Sequence, residues 1–384
     1  MRIACVKCLL VGVLSFFSCI AFGQGQSEKG EGTKKSSFDA NEVIFGHVLD
    51  AHEFHFFSYK GKDGKEHAVI LSLPVILYSP QKGFSFFMSS KFHHGEESYK
   101  GYSTLTDEKL HELKLDPKKY HAGQIVAVND SGELDSSVEV YDFSLTRNVV
   151  QMILALALLV WVMLSIAKKY KNGEGVNSAP KGSQSLLEPV VIFIKDEVAK
   201  PNLGHKYQKY LPYLLTVFFF ILINNLVGLI PGTANVTGNI AFTMVLAFIS
   251  FVVILFSSNK HYWGHIINPP VPIGVKPILI PVEILGIFTK PFALMIRLFA
   301  NMLAGHIIII SLVSLIFIFG ALNKAIGWGF SPLSVAFVIF IYLIEFLIAF
   351  LQAYIFTTLT AVFVGQAFEG SHDDTDHHED AVIV

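Results

Sequence analysis

The chain has 384 residues, a mean hydropathy of +0.51 and only 16% charged residues, which is too apolar for a soluble protein. Its formal net charge of -2 gives no sign of nucleic-acid binding, and no GxxxxGK[ST] phosphate loop occurs. Composition therefore predicts an integral membrane protein without a nucleotide site of that kind.

The first residues have the features of an export signal. Arg2 and Lys7 precede an apolar run over residues 8–22, and the small residues Ala21 and Gly23 fit a cleavage site. We predict a signal peptide over residues 1–23. All three cysteines lie inside it, so we expect the mature chain to have neither disulfides nor thiolate metal sites.

Residues 24–143 predict a small β-rich module on the outer side of the membrane. Apolar and β-branched runs such as HAVILSLPVILY and SSVEVYDFSL alternate with the turn-forming KGKDGK and NDSGE. The eight histidines of this stretch show no fixed ligand spacing, so we predict no metal site and no cofactor. The acidic residues 369–384 are expected to form a flexible cytoplasmic tail.

Residues 144–368 predict an all-α polytopic membrane domain with about five transmembrane helices. The first three spans cover about residues 149–167, 211–230 and 240–256. The cytoplasmic loops so defined hold ten lysines, eight between Lys168 and Lys209 plus Lys260 and Lys276, whereas the outer loops between spans hold only Lys324. By the positive-inside rule, the N-terminus lies outside and the C-terminus inside. Residues 185–198 either lie along the interface or pack on partner subunits.

The last two apolar segments, from Glu283 to Gly320 and from Ser331 to Ala367, are longer than a bilayer requires. At 1.5 Å per residue they would reach ~55 Å, against a hydrocarbon core of ~30 Å, so we predict a long, tilted antiparallel hairpin with its turn between Gly320 and Ser331. Six prolines between Pro269 and Pro291 predict an irregular approach to the first of these helices, with a cavity beside it.

One arginine stands inside the first long segment. Arg297 keeps its charge under biological conditions and costs roughly 3 kcal/mol at the bilayer centre on insertion scales. Glu283, Lys290 and Arg297 are spaced by seven and are expected on one helical face, which Asn301 extends, while His306 faces the other way. A snorkelling or structurally paired arginine is the alternative to a functional one.

The second long segment carries a matching polar pair. Glu345 and Gln352 are also spaced by seven, and in an antiparallel hairpin Gln352 comes level with Arg297 and Glu345 with His306. Polar groups that meet at equal depth inside a membrane suit proton relay. They could equally hold the two helices together.

The motifs RLFANMLAGH from Arg297, LQAYIF from Leu351 and NNLVGLIPG from Asn224 resemble the a subunit of the F-type ATP synthase, over roughly residues 143–367. The resemblance implies that Arg297 faces a rotating ring of c subunits, with Gln352 its partner across the hairpin and Asn301 beside the same path. It further implies that His306, Glu345 and Asn225 belong to a proton half-channel. In many bacterial relatives the acid and the imidazole stand on exchanged helices, which leaves the individual roles of His306 and Glu345 open.

The resemblance also implies partners and location. These are the c-subunit ring, the b subunits of the peripheral stalk, the catalytic soluble sector reached through them, and membrane lipid, in a bacterial inner membrane. The chain itself would not be catalytic. An independent secondary ion transporter is the rival class, although no internal repeat of the kind common in transporters occurs. A sensor using the outer module would leave the polar membrane residues without a role.

Overall fold

The computed structural model describes residues 50–60, 66–95, 97–106, 109–110, 116, 120–121, 123–129, 133–135, 137–175, 179–230, 232–269, 271–272 and 274–368. The predicted signal peptide and the predicted acidic tail lie outside these residues. Short strands occupy the N-terminal part, and long helices occupy most of the chain from Arg147 onward. The predicted fold class, a helical membrane protein with a small β-rich N-terminal module, is confirmed.

The strands of the N-terminal module are all short. They are β1 (Glu53–Lys60), β2 (Glu66–Ser72), β3 (Pro74–Ser79), β4 (Gly83–Met88), β5 (Tyr102–Thr104), β6 (Ile125–Ala127) and β7 (Tyr141–Asp142). They pair in antiparallel fashion as β1 with β2, β4–β3–β7 in that order, and β5 with β6.

The core of the module follows from alternation along β3. Val75 and Leu77 are fully buried while their neighbours in the strand are not, because successive side chains of a strand point to opposite faces. Both pack with Phe87, Tyr102 and Ile125 in one cluster. This cluster lies on one side of the β4–β3–β7 sheet only.

Helices make up most of the described chain from Arg147 onward. They are α1 (Arg147–Lys171), α2 (Ser183–Phe193), α3 (Lys200–Leu203), α4 (Tyr207–Gly228), α5 (Ile240–Ser257), α6 (Lys260–Ile267), α7 (Lys276–Leu322) and α8 (Lys324–Phe368). A π-helical stretch, Ile194–Ala199, joins α2 to α3. Within the described residues, five helical runs are long and apolar enough to cross a membrane: Arg147–Lys171, Ser183–Gly228, Ile240–Ser257, Lys276–Leu322 and Lys324–Phe368.

Helix α1 packs against the rest of the protein with only one of its faces. Four of its five buried residues, Arg147, Gln151, Ala155 and Leu159, recur every four positions, which places them on one face of a helix; the fifth, Asn148, is next to Arg147. The opposite side exposes large apolar side chains, including Trp161 at 68%. We interpret that side as the lipid-facing surface of this helix.

The membrane core lies where α4, α5, α7 and α8 meet. Phe218, Leu298 and Met302 are at most 1% exposed and belong to one cluster with Phe356. Ile194, in the π-helical stretch, is fully buried in the same cluster. Residues 185–198, for which the sequence left two alternatives open, therefore pack at their C-terminal end inside their own chain.

Helices α7 and α8 form the predicted hairpin, but the predicted turn from Gly320 to Ser331 is wrong in extent. Only Asn323 separates the two helices. A Cβ on Gly327 would lie 2.6 Å from the Cα of Gly320, so these two glycines allow the backbones to touch next to the turn. The close approach lets both helices continue through a stretch whose composition suggested a loop.

The proline-rich approach to α7 is irregular, as predicted. Pro269 and Pro272 precede the helix, and Pro277 lies in its first turn, where a missing N–H costs nothing. Pro281 and Pro291, however, lie within the continuous helix. Proline did not interrupt α7 at these two positions.

Candidate functional site

Arg297 lies on an exposed strip of α7 on which, apart from Ile296, the neighbouring exposed side chains are small. Ala293, Ala300, Asn301 and Ala304 are exposed together with it. The predicted common face of Arg297 and Asn301 is therefore observed. Small residues along a membrane helix let a second helix approach the backbone closely, so this strip suits contact with another helical protein.

The guanidinium group of Arg297 has no partner in the part of its own chain that the structure describes. No hydrogen bond or ion pair there involves its side chain. A permanent cation within an apolar span is costly when it is unpaired. The arrangement therefore points to a counter-charge supplied by another molecule.

Glu345 lies buried in the hairpin, against Gly305. Its side chain is 2% exposed, and a Cβ on Gly305 would come within 2.8 Å of Cδ and 3.2 Å of Cγ of Glu345. Because His306 follows Gly305 directly, Glu345 and His306 lie at the same level, in agreement with the depth predicted from the sequence. Among the described residues, neither carboxylate oxygen of Glu345 has a hydrogen-bond partner, His306 included.

Gln352 and Asn225 continue the polar group toward the level of Arg297. Gln352 is buried at 6% exposure, and in the same hairpin register it lies beside Leu298, the neighbour of Arg297. The Nδ2 of Asn225, on α4, donates to the carbonyl of Ala349 at 3.0 Å, between Glu345 and Gln352 on α8. Asn225 is fully buried, and its Oδ1 has no hydrogen-bond partner among the described residues.

A cavity of about 920 Å³ opens at the end of the hairpin that is farther from the turn at Asn323. Its lining includes Glu283, Lys290 and Gln366, and Lys290 Nζ donates to Gln366 Oε1 at 3.0 Å. The prediction that Glu283, Lys290 and Arg297 share one face is thus wrong in part, because the first two are half-buried at the cavity and Arg297 is exposed outside it. A seven-residue spacing falls ~20° short of two helical turns, so successive members drift around the helix.

Comparison with known families shows to which protein family the chain belongs. A family model described as "ATP synthase A chain" matches residues 149–365, more than half of the chain. The chain belongs to the ATP synthase subunit a family. A relative from Chloroherpeton thalassium named ATP synthase subunit a is 48% identical over 239 residues, 61% of this chain and 69% of the relative.

Other relatives of this subunit a are similarly close. ATP synthase subunit a 2 of Chlorobaculum tepidum is 49% identical over 62% of this chain and 67% of its own length, and ATP synthase subunit a of Myxococcus xanthus is 42% identical over 62% and 78%. With five apolar helical runs, the protein is a multi-pass membrane subunit of a bacterial F-type ATP synthase. A second family model, described as "Domain of unknown function (DUF8433)", matches residues 43–143.

Two amides that the sequence analysis missed, Gln151 and Asn235, connect α1 and α7 through the loop before α5. Gln151, on α1, accepts from the backbone N of Ala234 at 2.7 Å and donates to the carbonyl of the same residue. Asn235 donates to the carbonyl of Met302 on α7 at 3.1 Å. The available signal was a glutamine one turn inside an apolar span, where an unpaired amide is unfavourable.

Proposed function

We propose that this subunit a translocates protons as part of the stator, with Arg297 facing the rotating ring of c subunits and a polar half-channel on each side of it. The observation that carries the proposal is the exposure of Arg297 on a strip of small residues, without a partner in the described part of its own chain. A carboxyl group on each ring subunit would be the missing counter-charge.

The outer half-channel would follow the buried polar groups of the hairpin. His306 and Glu345 lie about 13 Å outward of Arg297 along the helix axis, and Asn225 and Gln352 lie between these levels. Burying a carboxyl group without a hydrogen-bond partner lowers stability. Glu345 is therefore better explained by proton transfer with His306 than by holding the helices together.

The inner half-channel would open through the cavity lined by Glu283, Lys290 and Gln366. Glu283 precedes Arg297 by 14 residues, which corresponds to about 21 Å along α7. Charged and amide groups lining a cavity of this size can carry a proton to the cytoplasmic surface. The two half-channels meet the ring on opposite sides of Arg297.

Arg297 would act on both paths through its permanent charge. A ring carboxyl group beside it is favoured in the ionised form, so the proton leaves toward one half-channel. The same charge opposes a cation crossing directly from one half-channel to the other without rotation. Lysine would not replace it, because an ammonium group can lose its proton and lacks the planar donor geometry.

The loop charges support an orientation with the N-terminal module outside and the C-terminus in the cytoplasm. In this orientation the turn at Asn323 faces the outer side. The b subunits of the peripheral stalk would bind the exposed parts of the helices and connect them to the catalytic sector. Lipid would cover the remaining apolar surface.

The test is ATP-driven proton pumping in inverted vesicles that carry Arg297→Ala, with complex assembly measured on the same membranes. We expect normal assembly and loss of pumping. Lys324→Ala is the matched control, because it removes an exposed positive charge from the same hairpin at its turn. Pumping at the normal rate in Arg297→Ala would overturn the proposal and reopen the transporter alternative.

A second experiment tests which face meets the ring. Asn301→Cys places a thiol on the exposed strip, whereas Met302→Cys, at a site 1% exposed, places it inside the subunit. We expect oxidative cross-links to a cysteine in the outer helix of the c subunit from position 301 and none from position 302. The reverse result would show that the ring binds elsewhere.

A further inference from the structure

The β4–β3–β7 sheet has a second face that no part of the described chain covers. One face, with Val75, Leu77 and Phe87, forms the core of the module. On the other face Phe84 is 79% exposed and Phe86 is 66% exposed. Soluble surfaces rarely present adjacent aromatic side chains in this way.

Strand register shows that this outer face is apolar throughout. Tyr78 pairs with Phe84 on one side and Tyr141 on the other. Ile76 pairs with Phe86, and Phe143 donates its backbone N–H to the carbonyl of Ile76. The last row consists of Met88, Pro74 and Leu145. No charged side chain belongs to any of the three rows.

The module is held close to the membrane. The hydrogen bonds between β3 and the segment after β7 continue to Leu145, whose N–H donates to the carbonyl of Pro74. Helix α1 begins two residues later, at Arg147. Leu73, next to Pro74, is 5% exposed and belongs to a cluster with Val150 of α1 and Val236 of the loop before α5. The row of Met88, Pro74 and Leu145 therefore lies at the outer ends of the transmembrane helices.

The rows of Ile76 and Tyr78 lie a short distance from the row of Pro74. Successive rows are two residues apart along the strands, or about 7 Å, so the row of Tyr78 lies about 13 Å beyond that of Pro74 if the strands run along the membrane normal. If the sheet lies flatter, all three rows reach the headgroup region. The short connection to α1 keeps the face near the bilayer in either case.

We propose that the outer face of the β4–β3–β7 sheet docks on the lipid bilayer, at the outer interface between headgroups and acyl chains. Phenylalanine and tyrosine suit this region, where rings meet hydrocarbon and hydroxyl groups meet water. A protein partner would be expected to find polar groups among the apolar ones, as in ordinary interfaces, and these rows offer only the two tyrosine hydroxyls. This proposal does not depend on the proton path.

The test places a photo-reactive p-benzoylphenylalanine at position 86 in the complete ATP synthase, reconstituted in vesicles of phosphatidylethanolamine and phosphatidylglycerol. We expect the illuminated subunit to gain the mass of a phospholipid. The same group at Leu154, exposed on α1, is the positive control, and at Gln81, exposed in the turn between β3 and β4, it is the control in water.

Two results would overturn the proposal. A cross-link from position 86 to another subunit, or to residues 24–49 of this chain, would show that protein covers the face. Absence of any adduct at position 86, with lipid adducts at position 154 in parallel samples, would show that the face lies in water. Assembly and ATP hydrolysis of each variant are measured first, so that variants with a misfolded complex are excluded from the cross-linking comparison.

Discussion

The contact between Gly305 and Glu345 restricts which side chains fit at positions 305 and 345 of the hairpin. The absence of a side chain at residue 305 leaves room for the carboxyl group that a Cβ would meet at 2.8 Å. Glycine in the middle of a helix costs about 1 kcal/mol relative to alanine. The helix therefore gives up some stability at Gly305 to accommodate Glu345.

Gly305→Ala is expected to displace the carboxyl group of Glu345 while leaving α7 helical. We predict that ATP-driven proton pumping falls on the order of tenfold or more, with assembly unchanged, because small displacements of transfer groups are costly. Gly329→Ala, where an added Cβ meets nothing within 4 Å, is the matched control.

Shortening the acid should relieve the clash. Glu345→Asp in the Gly305→Ala background is expected to restore part of the pumping rate, which a purely structural defect at Gly305 would not permit. Normal pumping by Gly305→Ala alone would mean that the position of Glu345 is unimportant.

Asp142 in the module predicts a pH dependence outside the membrane. Burial opposes its charge, but hydrogen bonds from His52, at 2.9 Å, and from Ser144 outweigh burial and hold the pKa of Asp142 below its ordinary value. Its stabilising contribution is therefore present above the unfolded-state pKa of ~3.9 and is lost as the pH falls through the lower folded-state pKa.

We expect amide exchange at Phe143, whose N–H bonds to Ile76, to speed up in the wild type below about pH 4. Asp142→Asn should remove this pH dependence. Each observed rate is divided by the intrinsic rate for that protein's own sequence, because residue 142 directly precedes Phe143 and its side chain alters the intrinsic rate. Equal pH dependence in both would exclude Asp142 as its source.

At the scale of elements, the loop of Ala234 and Asn235 connects the module, α1 and α7. Gln151 binds both backbone groups of Ala234, and Phe54 of the module packs in the same cluster as Ala234 and Val236. Asn235 then reaches the carbonyl of Met302, one residue after Asn301. The position of the arginine helix thus depends on contacts made outside the hairpin.

Gln151→Leu should destabilise this loop. It leaves the buried N–H and carbonyl of Ala234 without partners, at about 1–3 kcal/mol for each unsatisfied group. We predict a lower temperature at which subunit a dissociates from the purified complex. Gln208→Leu, at an exposed glutamine, should leave it unchanged; equal loss in both variants would exclude a specific role for Gln151.

The sequence predicted the elements whose causes are local. Hydropathy located the spans, and antiparallel geometry placed Glu345 level with His306, because both depend only on residue type and spacing. The turn was predicted too long because Gly320 and Gly327 act through a contact between helices, which composition cannot reveal. The contacts of Gln151 and Gly305 were missed for the same reason.

At the scale of the whole molecule, the hairpin is far longer than the bilayer is thick. Its helices of 47 and 45 residues would extend about 70 Å, against a hydrocarbon core of about 30 Å. They must be strongly tilted or project beyond the core. Tilt would let one exposed strip follow a curved partner surface over a long distance.

The orientation of the molecule is tested by labelling single cysteines with a membrane-impermeant maleimide. We expect Gln81→Cys to react in right-side-out vesicles and Lys181→Cys only in inverted ones, because the positive-inside rule predicts that the lysine-rich loops remain in the cytoplasm. Reaction of both residues from one side would contradict the five-span topology.

The single residue between α7 and α8 also bears on biogenesis. When a nascent chain enters the bilayer, any polar segment between two spans must cross the hydrocarbon, and the cost rises with the number of exposed peptide groups. Here that segment is reduced to Asn323, with Lys324 starting the next helix. Little unpaired backbone therefore has to cross the hydrocarbon when these two long helices are inserted during synthesis, although the charge of Lys324 must cross with it.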